Sequence, residues 1–520
     1  MIPITIGVTG HRDLRPENIS ALESLVRGQL RKLKTEYPNS PFRMLSSLAA
    51  GADCLCARIA LEEGIELVCP LPATADEYRK DFTPDELAVY EELTERAECV
   101  FTAPDTEPEG KGRTYRFRQA GIYVAEHCHV LLALWDGNPP KKDGCGTAEA
   151  VDFMLRGVYS GNCALRSPAE GAVIHVYTPR ISGTSQGEPY VKLIENVPGT
   201  LESLLKKTDS FNRDCKKYSL KNKRILPEYC GSIPAESVYS EASGLSAKFK
   251  DKYYLALKCF SYFCVLLVLS YLLYDEAELI WQLAVYGIFL TVYFCLFRLN
   301  ERSRNSEKYI EYRMLAESLR VQTYLSALSI NLNTGDSFTW TQKSENLWIK
   351  KAVCCLQTTP CEPAGDREIV IKTWLEGQLK YHTAAAAKDS KAVNREKNVS
   401  GAMVLCTALL FIFTAVLELR FTSLMTASLF SITVRSWLKI LWGCFSAATL
   451  FVSGYYGAQA TGRRAADHNK MKLLFEGALN RFYANPENAD SILSALAREE
   501  IIESGNWQSY TSEHKPDFSI

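Results

Sequence analysis

The stretch from Cys259 to Phe297 constrains this chain more than any other. Two apolar runs, Cys259–Tyr274 and Leu279–Phe297, flank a short acidic break at Asp275, Glu276 and Glu278. The second run is long enough to cross a ~30 Å hydrocarbon core as a helix, and the first reaches that length by taking in Tyr253–Lys258. A lone strand would leave backbone groups unpaired in lipid, so the short connection predicts an antiparallel helical hairpin. Lys248, Lys250, Lys252 and Lys258 precede it, and Arg298, Arg302 and Arg304 follow it. Basic ends and an acidic tip place both ends of the hairpin in the cytoplasm.

The plan recurs. Gly401–Leu417 and Trp437–Tyr455 are two further apolar runs, preceded by Lys388, Lys391, Arg395 and Lys397 and followed by Arg463, Arg464, Lys470 and Lys472. The loop between them, Glu418–Ser436, carries Arg420 and Arg435 and obeys the charge rule less cleanly. After each hairpin comes an amphipathic helix, with Tyr309, Tyr312, Leu315 and Leu319 at helical spacing in the first. The pattern predicts a helix–hairpin–helix unit over 241–330, a cytoplasmic helical connector over 331–390 that includes a short helix Leu347–Leu356, a second unit over 391–485, and a tail over 486–520. This is a multi-pass arrangement of four spans with both termini cytoplasmic. No span carries a charge at its middle, so the sequence offers no selectivity filter.

Composition excludes other classes. A net charge of −1 over 520 residues supplies no field for nucleic acid. The 17 cysteines are scattered, and the tight groups Cys54/Cys56 and Cys354/Cys355/Cys361 lack zinc-ligand spacing, so no metal site and a reducing compartment are expected. The chain starts with a strand-like segment rather than a secretory leader, which leaves insertion to the internal hairpin.

Residues 1–180 read as an α/β domain. Strand-like runs at Pro3–Val8, Phe42–Leu48, Glu66–Cys69, Cys99–Thr102, His129–Trp135 and Ala172–Tyr177 alternate with helical stretches, which argues a doubly wound, mostly parallel, Rossmann-like sheet. Residues 181–240 read as a linker. Ligands of such sheets bind at the carboxyl ends of the strands, and three glycine-bearing turns fall there: Gly7–Asp13, Ser46–Asp53 and Gly144–Glu149. Glycine admits close approach of a phosphate, and the following helix N-terminus presents free N–H groups. None of the three is a Walker loop or a dinucleotide fingerprint. The candidate binding residues are Gly7, Thr9, Gly10, His11, Arg12, Ser47, Gly51, Asp53, Arg116, Asp136, Gly144, Gly146, Thr147 and Glu149. Asp53 and Glu149 serve equally well as acids at helix starts, and Arg116 and His11 as ordinary surface residues.

These turns carry a resemblance. Gly7-Val8-Thr9-Gly10-His11-Arg12, Ser46 to Asp53, Leu134-Trp135-Asp136-Gly137 and Gly144 to Glu149 together resemble the SLOG superfamily, Rossmann-like domains related to lysine-decarboxylase-like cytokinin-activating enzymes. The resemblance implies a nucleotide-derived second messenger in the cleft, of cyclic nucleotide or ADP-ribose type, and no tightly bound cofactor. Enzymatic relatives use Gly-Gly-x-Gly-Thr-x-x-Glu with an accompanying arginine, which would give Arg116 and Glu149 catalytic roles. Here Glu149 stands one residue nearer the threonine and Ala150 holds the usual position, a departure that argues for binding over hydrolysis. Tyr312-Arg313-Met314-Leu315-Ala316-Glu317 and Trp374-Leu375-Glu376-Gly377-Gln378 resemble the SLATT group of two-span effectors. That resemblance implies a homo-oligomeric effector in the bacterial inner membrane that forms a pore or disrupts the bilayer in antiphage defence. The alternatives are a membrane-tethered nucleotide-hydrolysing enzyme and a ligand-free anchor.

Overall fold

The computed structural model describes residues 1–104, 112–140, 145–157, 165–183, 187–219, 225–226, 233–359, 366–430 and 432–514. The chain divides into two compact units. One comprises Met1–Leu245, Met314–Val370 and Ala497–Gly505; the other comprises Ser246–Arg313, Ile371–Leu496 and Asn506–Ile520.

The first unit is an α/β domain built on β1 (Ile4–Gly10), α1 (Ile19–Glu36), β2 (Phe42–Leu45), α2 (Ala52–Glu62), β3 (Glu66–Leu71), α3 (Ala75–Tyr78), α4 (Pro84–Glu95), β4 (Cys99–Thr102), α5 (Arg113–Glu126), β5 (Val130–Trp135), α6 (Thr147–Arg156), β6 (Ala172–Tyr177), β7 (Val191–Glu195) and α7 (Thr200–Tyr218). The sheet order is β4-β3-β2-β1-β5-β6-β7. β1 to β6 run parallel and β7 closes the edge antiparallel to β6. The central strands are apolar along nearly their whole length, as strands covered on both faces must be: Ile4, Ile6, Met44, Leu45, Val68, Leu131 and Ala133 are completely buried. β1 lies between β2 and β5, so the chain leaves it in one direction and returns on its other side. That is the topological switch point, where the loops diverge and open a crevice.

Residues 181–240 hold more than a linker. β7 pairs with β6 from Ala172↔Glu195 to Val176↔Val191. In α7, Leu201, Leu204, Leu205, Thr208, Phe211 and Cys215 form one buried stripe.

The chain continues through α8 (Pro234–Glu276), α9 (Trp281–Ser303), α10 (Asn305–Ala327), α11 (Trp340–Glu345), α12 (Leu347–Leu356), α13 (Arg367–Arg420), α14 (Thr422–Met425), a two-stranded hairpin β8 (Ser428–Leu429) and β9 (Ile432–Thr433), α15 (Val434–Gln459), α16 (Thr461–Ala484) and α17 (Ala489–Glu513). The unit boundaries fall inside α8, α10, α13 and α17. Residues 486–520, expected as a tail, contain the 25-residue α17, with Leu493, Leu496, Ala497 and Ile501 buried.

α12 belongs to the α/β unit, and all ten of its residues are buried. Trp348 packs near Phe211 of α7, with ring centroids 6.4 Å apart. At its end Cys355 Sγ lies 3.2 Å from His129 Nδ1, and Tyr123 donates its hydroxyl to the Gln357 carbonyl at 3.0 Å. Those contacts set α12 at the starts of the strands, the edge opposite the crevice. Two lysines of this helix are buried, which is tolerable only because acids meet them. Lys350 Nζ donates to Glu170 Oε2 at 3.0 Å and pairs with Asp336 at 2.9 Å; Arg166 Nε lies 3.1 Å and Lys351 Nζ 3.8 Å from the Glu170 carboxylate. Burial alone would raise the Glu170 pKa, but three cations hold it well below the ordinary range.

The second unit is helical. α8 and α9 form the expected antiparallel hairpin, with Phe260 against Tyr293 at 5.4 Å and Phe263 near Phe289 at 6.2 Å. α15 approaches α8 closely where Gly443 faces Leu272; a Cβ there would stand 2.6 Å from Leu272 Cδ1. Lys439 and Glu276 pair at 3.0 Å near the hairpin tips. Arg464 on α16 grips Asp389 on α13 through two bonds of 3.0 and 2.6 Å. Four helical stretches are long and apolar enough to cross a membrane: Pro234–Glu276, Trp281–Ala327, Arg367–Arg420 and Val434–Ala484. On α13 the side chains of Val404, Leu405, Leu409, Phe411, Ile412 and Phe413 are all exposed. A column of that size is untenable in water and natural in hydrocarbon, compatible with a membrane protein.

Removing Glu170 would leave Arg166, Lys350 and Lys351 facing one another in a buried site. Glu170→Ala should therefore destabilise the α/β unit by about 3–5 kcal/mol, read as a lowered melting temperature by intrinsic fluorescence in detergent. An unchanged melting temperature would show that α12 is not anchored by this network.

Candidate functional site

A cavity of about 870 Å³ opens at the carboxyl ends of β1 and β5, bounded by the loop after β2 and the starts of α5 and α6. It lies at the switch point between β1 and β5, where the fold alone places a ligand, and its size suits a small-molecule site. Of the residues singled out from the sequence, Thr9, Gly10, His11, Arg12, Ser47, Asp53, Asp136, Gly146, Thr147 and Glu149 line it.

Three of the others stand elsewhere. Gly7 is buried in β1, and a Cβ there would stand 2.8 Å from both Cys128 Sγ and Val124 Cγ1, so its smallness serves helix packing against the sheet. Gly51, at φ +82°, backs the Arg12 carbonyl, where a Cβ would come within 2.4 Å of the oxygen. Arg116 faces an adjoining cavity of about 240 Å³ and pairs with Glu77 at 2.8 Å. Gly144 lies outside the described residues. Gly10 both lines the cavity and admits α2: a Cβ there would meet that of Ala52 at 2.2 Å.

His11 knits the two central strands together. Its N–H donates to the Leu134 carbonyl at 3.1 Å, its carbonyl accepts from Ala52 N–H at 3.1 Å, and its Nε2 accepts the Asp136 backbone N–H at 3.0 Å. Nε2 also lies 3.3 Å from Asp136 Oδ1. An acceptor Nε2 carries no proton, and burial lowers the His11 pKa, so the ring is neutral with its proton on Nδ1. Asp136 receives the Asn138 backbone N–H at 3.1 Å and the Asn138 side-chain amide at 2.8 Å. Burial opposes its ionisation, yet these bonds prevail and its pKa is lowered.

Asp53, in the first turn of α2, is buried. Burial raises its pKa to about 7, against the pull of the Ala49 and Gly10 N–H groups and the Arg12 charge. Glu149, in the first turn of α6, pairs with Arg118 at 3.3 Å through Oε1. Its Oε2 is buried with no hydrogen-bond partner among the described residues, and burial raises its pKa. Leu48, between Ser47 and Ala49, sits in the left-handed region at φ 52°, a strain of the kind that collects around binding loops.

Several lining residues escaped the sequence reading. Asp13 pairs with Arg180 at 2.9 Å; burial opposes its ionisation, but bonds from Ser182 and Arg180 hold its pKa at about 2. Arg113 pairs with Asp81. The guanidiniums of Arg12 and Arg113 lie 5.5 and 5.6 Å from the Phe117 ring. Tyr78 is almost fully buried, and its hydroxyl has no partner among the described residues. Arg113 and Phe117 flank Arg116 on α5, and only the phase of that helix separates them from it.

No group of three or more metal-binding side chains occurs among the described residues. A scan against protein-family models finds no matching family, and a search of curated proteins finds no match. Cavity and fold therefore define the class on their own: a parallel-sheet α/β domain with a strand-end crevice, followed by a helical region with four membrane-length helices.

A carboxyl with a raised folded pKa keeps its proton where the unfolded chain has lost it, so stability falls as pH climbs from about 4 to about 7. Asp53 contributes such a slope. The melting temperature of the native protein should fall relative to that of Asp53→Asn between pH 5 and 8. Parallel curves would sink the assignment.

Proposed function

We propose that this protein is a membrane effector whose α/β unit senses a nucleotide-derived second messenger. Occupancy would shift the equilibrium of the membrane helices toward an oligomeric pore or a disrupted bilayer. The observation that carries this reading is the 870 Å³ strand-end cavity in the same chain as four membrane-length helices. The resemblance of the Gly7–Arg12, Ser46–Asp53 and Gly144–Glu149 turns to the SLOG superfamily supports a nucleotide of cyclic or ADP-ribose type. The resemblance of the helical half to SLATT effectors supports a homo-oligomer in the bacterial inner membrane and a role in antiphage defence. The basic flanks of the spans support cytoplasmic termini. A ligand gates only through its preference for one of two states, so binding without permeation is a distinct outcome. In liposomes carrying the full-length protein, a nucleotide that binds should accelerate dye release severalfold over the unliganded protein. Binding with no release would overturn the effector reading.

One observation favours a second reading, a membrane-tethered nucleotide N-glycosidase. Burial raises the pKa of Asp53 to about 7 and raises that of Glu149, and a carboxyl poised near the working pH, as Asp53 is, suits general acid–base chemistry. Arg116, the arginine that the enzymatic relatives would call for, faces the smaller cavity. On nucleoside monophosphates and NAD, hydrolysis that Glu149→Ala lowers by about a hundredfold or more would establish this reading. No turnover by the native protein would exclude it.

A further inference from the structure

The charges that line the crevice are unequally committed. Of its guanidiniums, Arg113 is taken by Asp81 and Arg180 by Asp13. Arg12 pairs with no carboxylate among the described residues, is exposed, and meets the Phe117 ring. Against it stand three further acids in the lining, Asp53, Asp136 and Glu149, of which Glu149 is paired with Arg118 at 3.3 Å. Asp136 keeps its charge through its bonds to Asn138. Two buried polar atoms await a partner: Glu149 Oε2, an acceptor, and the Tyr78 hydroxyl.

From this balance we infer that the crevice selects a nucleotide carrying a single ionised phosphate, seated against Arg12, and disfavours di- and triphosphates. The inference rests on the nucleotide-sensing reading and narrows it. Among the described residues, one phosphate charge meets one unmatched guanidinium. A second or third charge would meet Asp53, Asp136 and the Arg118-paired Glu149, and like charges brought together there oppose binding. A ribose hydroxyl or a base amino group can donate to Glu149 Oε2, and the Tyr78 hydroxyl can donate to a ring nitrogen or a ribose oxygen. The neutral His11 adds no positive charge. Asp53, half-protonated near neutrality, admits the anion more readily than a fully ionised carboxylate would.

The test is a charge series on the full-length protein in detergent, by calorimetry at pH 7.5 and fixed ionic strength. The probes are the 3′,5′-cyclic monophosphates, 5′-monophosphates and 5′-triphosphates of adenosine and guanosine, together with ADP-ribose. A phosphomonoester carries about two charges at this pH, whereas the cyclic diester carries one. Whichever base binds, the cyclic diester should bind at least about tenfold more tightly than the triphosphate, with the monophosphate between them. A triphosphate or ADP-ribose that binds as tightly as the diester would overturn the selectivity and leave the nucleotide reading standing. No heat from any probe would overturn both. Arg12→Ala should weaken the diester about tenfold and leave the uncharged nucleoside unaffected; equal losses for both would remove Arg12 as the seat of the phosphate. Glu149→Gln should narrow the gap between diester and triphosphate, and an unchanged gap would remove Glu149 from the discrimination. The series on the native protein needs no substitution, so a variant that fails to fold leaves the proposal testable.

Discussion

Six parallel strands must end at one edge of the sheet, and β1 must have neighbours reached from opposite directions. That topological constraint determines the rest of the α/β unit. Because β2 lies on one side of β1 and β5 on the other, the loops after β1 and β5 part and leave a crevice between them. His11 closes the floor of that crevice by bonding to the Leu134 carbonyl, to Ala52 and to Asp136. The missing side chains of Gly10 and Gly51 make room for α2 and for the Arg12 carbonyl. What looks in the sequence like a glycine-rich phosphate loop is thus in part a packing device, and the cavity is the space the packing leaves.

The opposite edge of the sheet has a different problem. Segments far along the chain must be held against the starts of the strands, and the buried Glu170 does this with Arg166, Lys350 and Lys351. Breaking such a network strands charges in a medium that solvates them badly, so it specifies one docking position for α12 where an apolar contact would tolerate several. α12, which lies beyond the first helical hairpin in the sequence, is in this way part of the domain that carries the crevice. A description of residues 1–180 as self-sufficient would miss that.

The helical unit presents a surface compatible with another solvent. Its leucines, valines and phenylalanines on α13 stay exposed, a surface compatible with lipid and ill suited to water. Its polar contacts gather toward the ends, as in the pairing of Arg464 with Asp389 and of Lys439 with Glu276. The connection between α13 and α15, whose arginines obey the charge rule less cleanly, carries a hairpin of two two-residue strands and the Glu418–Arg435 pair.

The sequence by itself determined the strands β1 to β6 and the membrane-length helices, because buried parallel strands and spans are uninterrupted apolar runs that need no partner to be recognised. It also placed α12 at Leu347–Leu356. It missed β7, whose Val191-Lys192-Leu193 alternates as an edge strand does and whose flanks are rich in glycine and proline. It left α7 within a linker where nineteen residues are helical, because lysines mask the stripe from Leu201 to Cys215. At the site, the turn residues on single strand ends were legible, since each motif is local. Tyr78, Asp81, Arg113, Phe117 and Arg180 join them only when distant segments converge. That Arg113 and Phe117 reach the crevice as well as the smaller cavity, while Arg116 lines the smaller one alone, is a matter of one helix's rotation, and packing against the sheet, which no local pattern encodes, decided it.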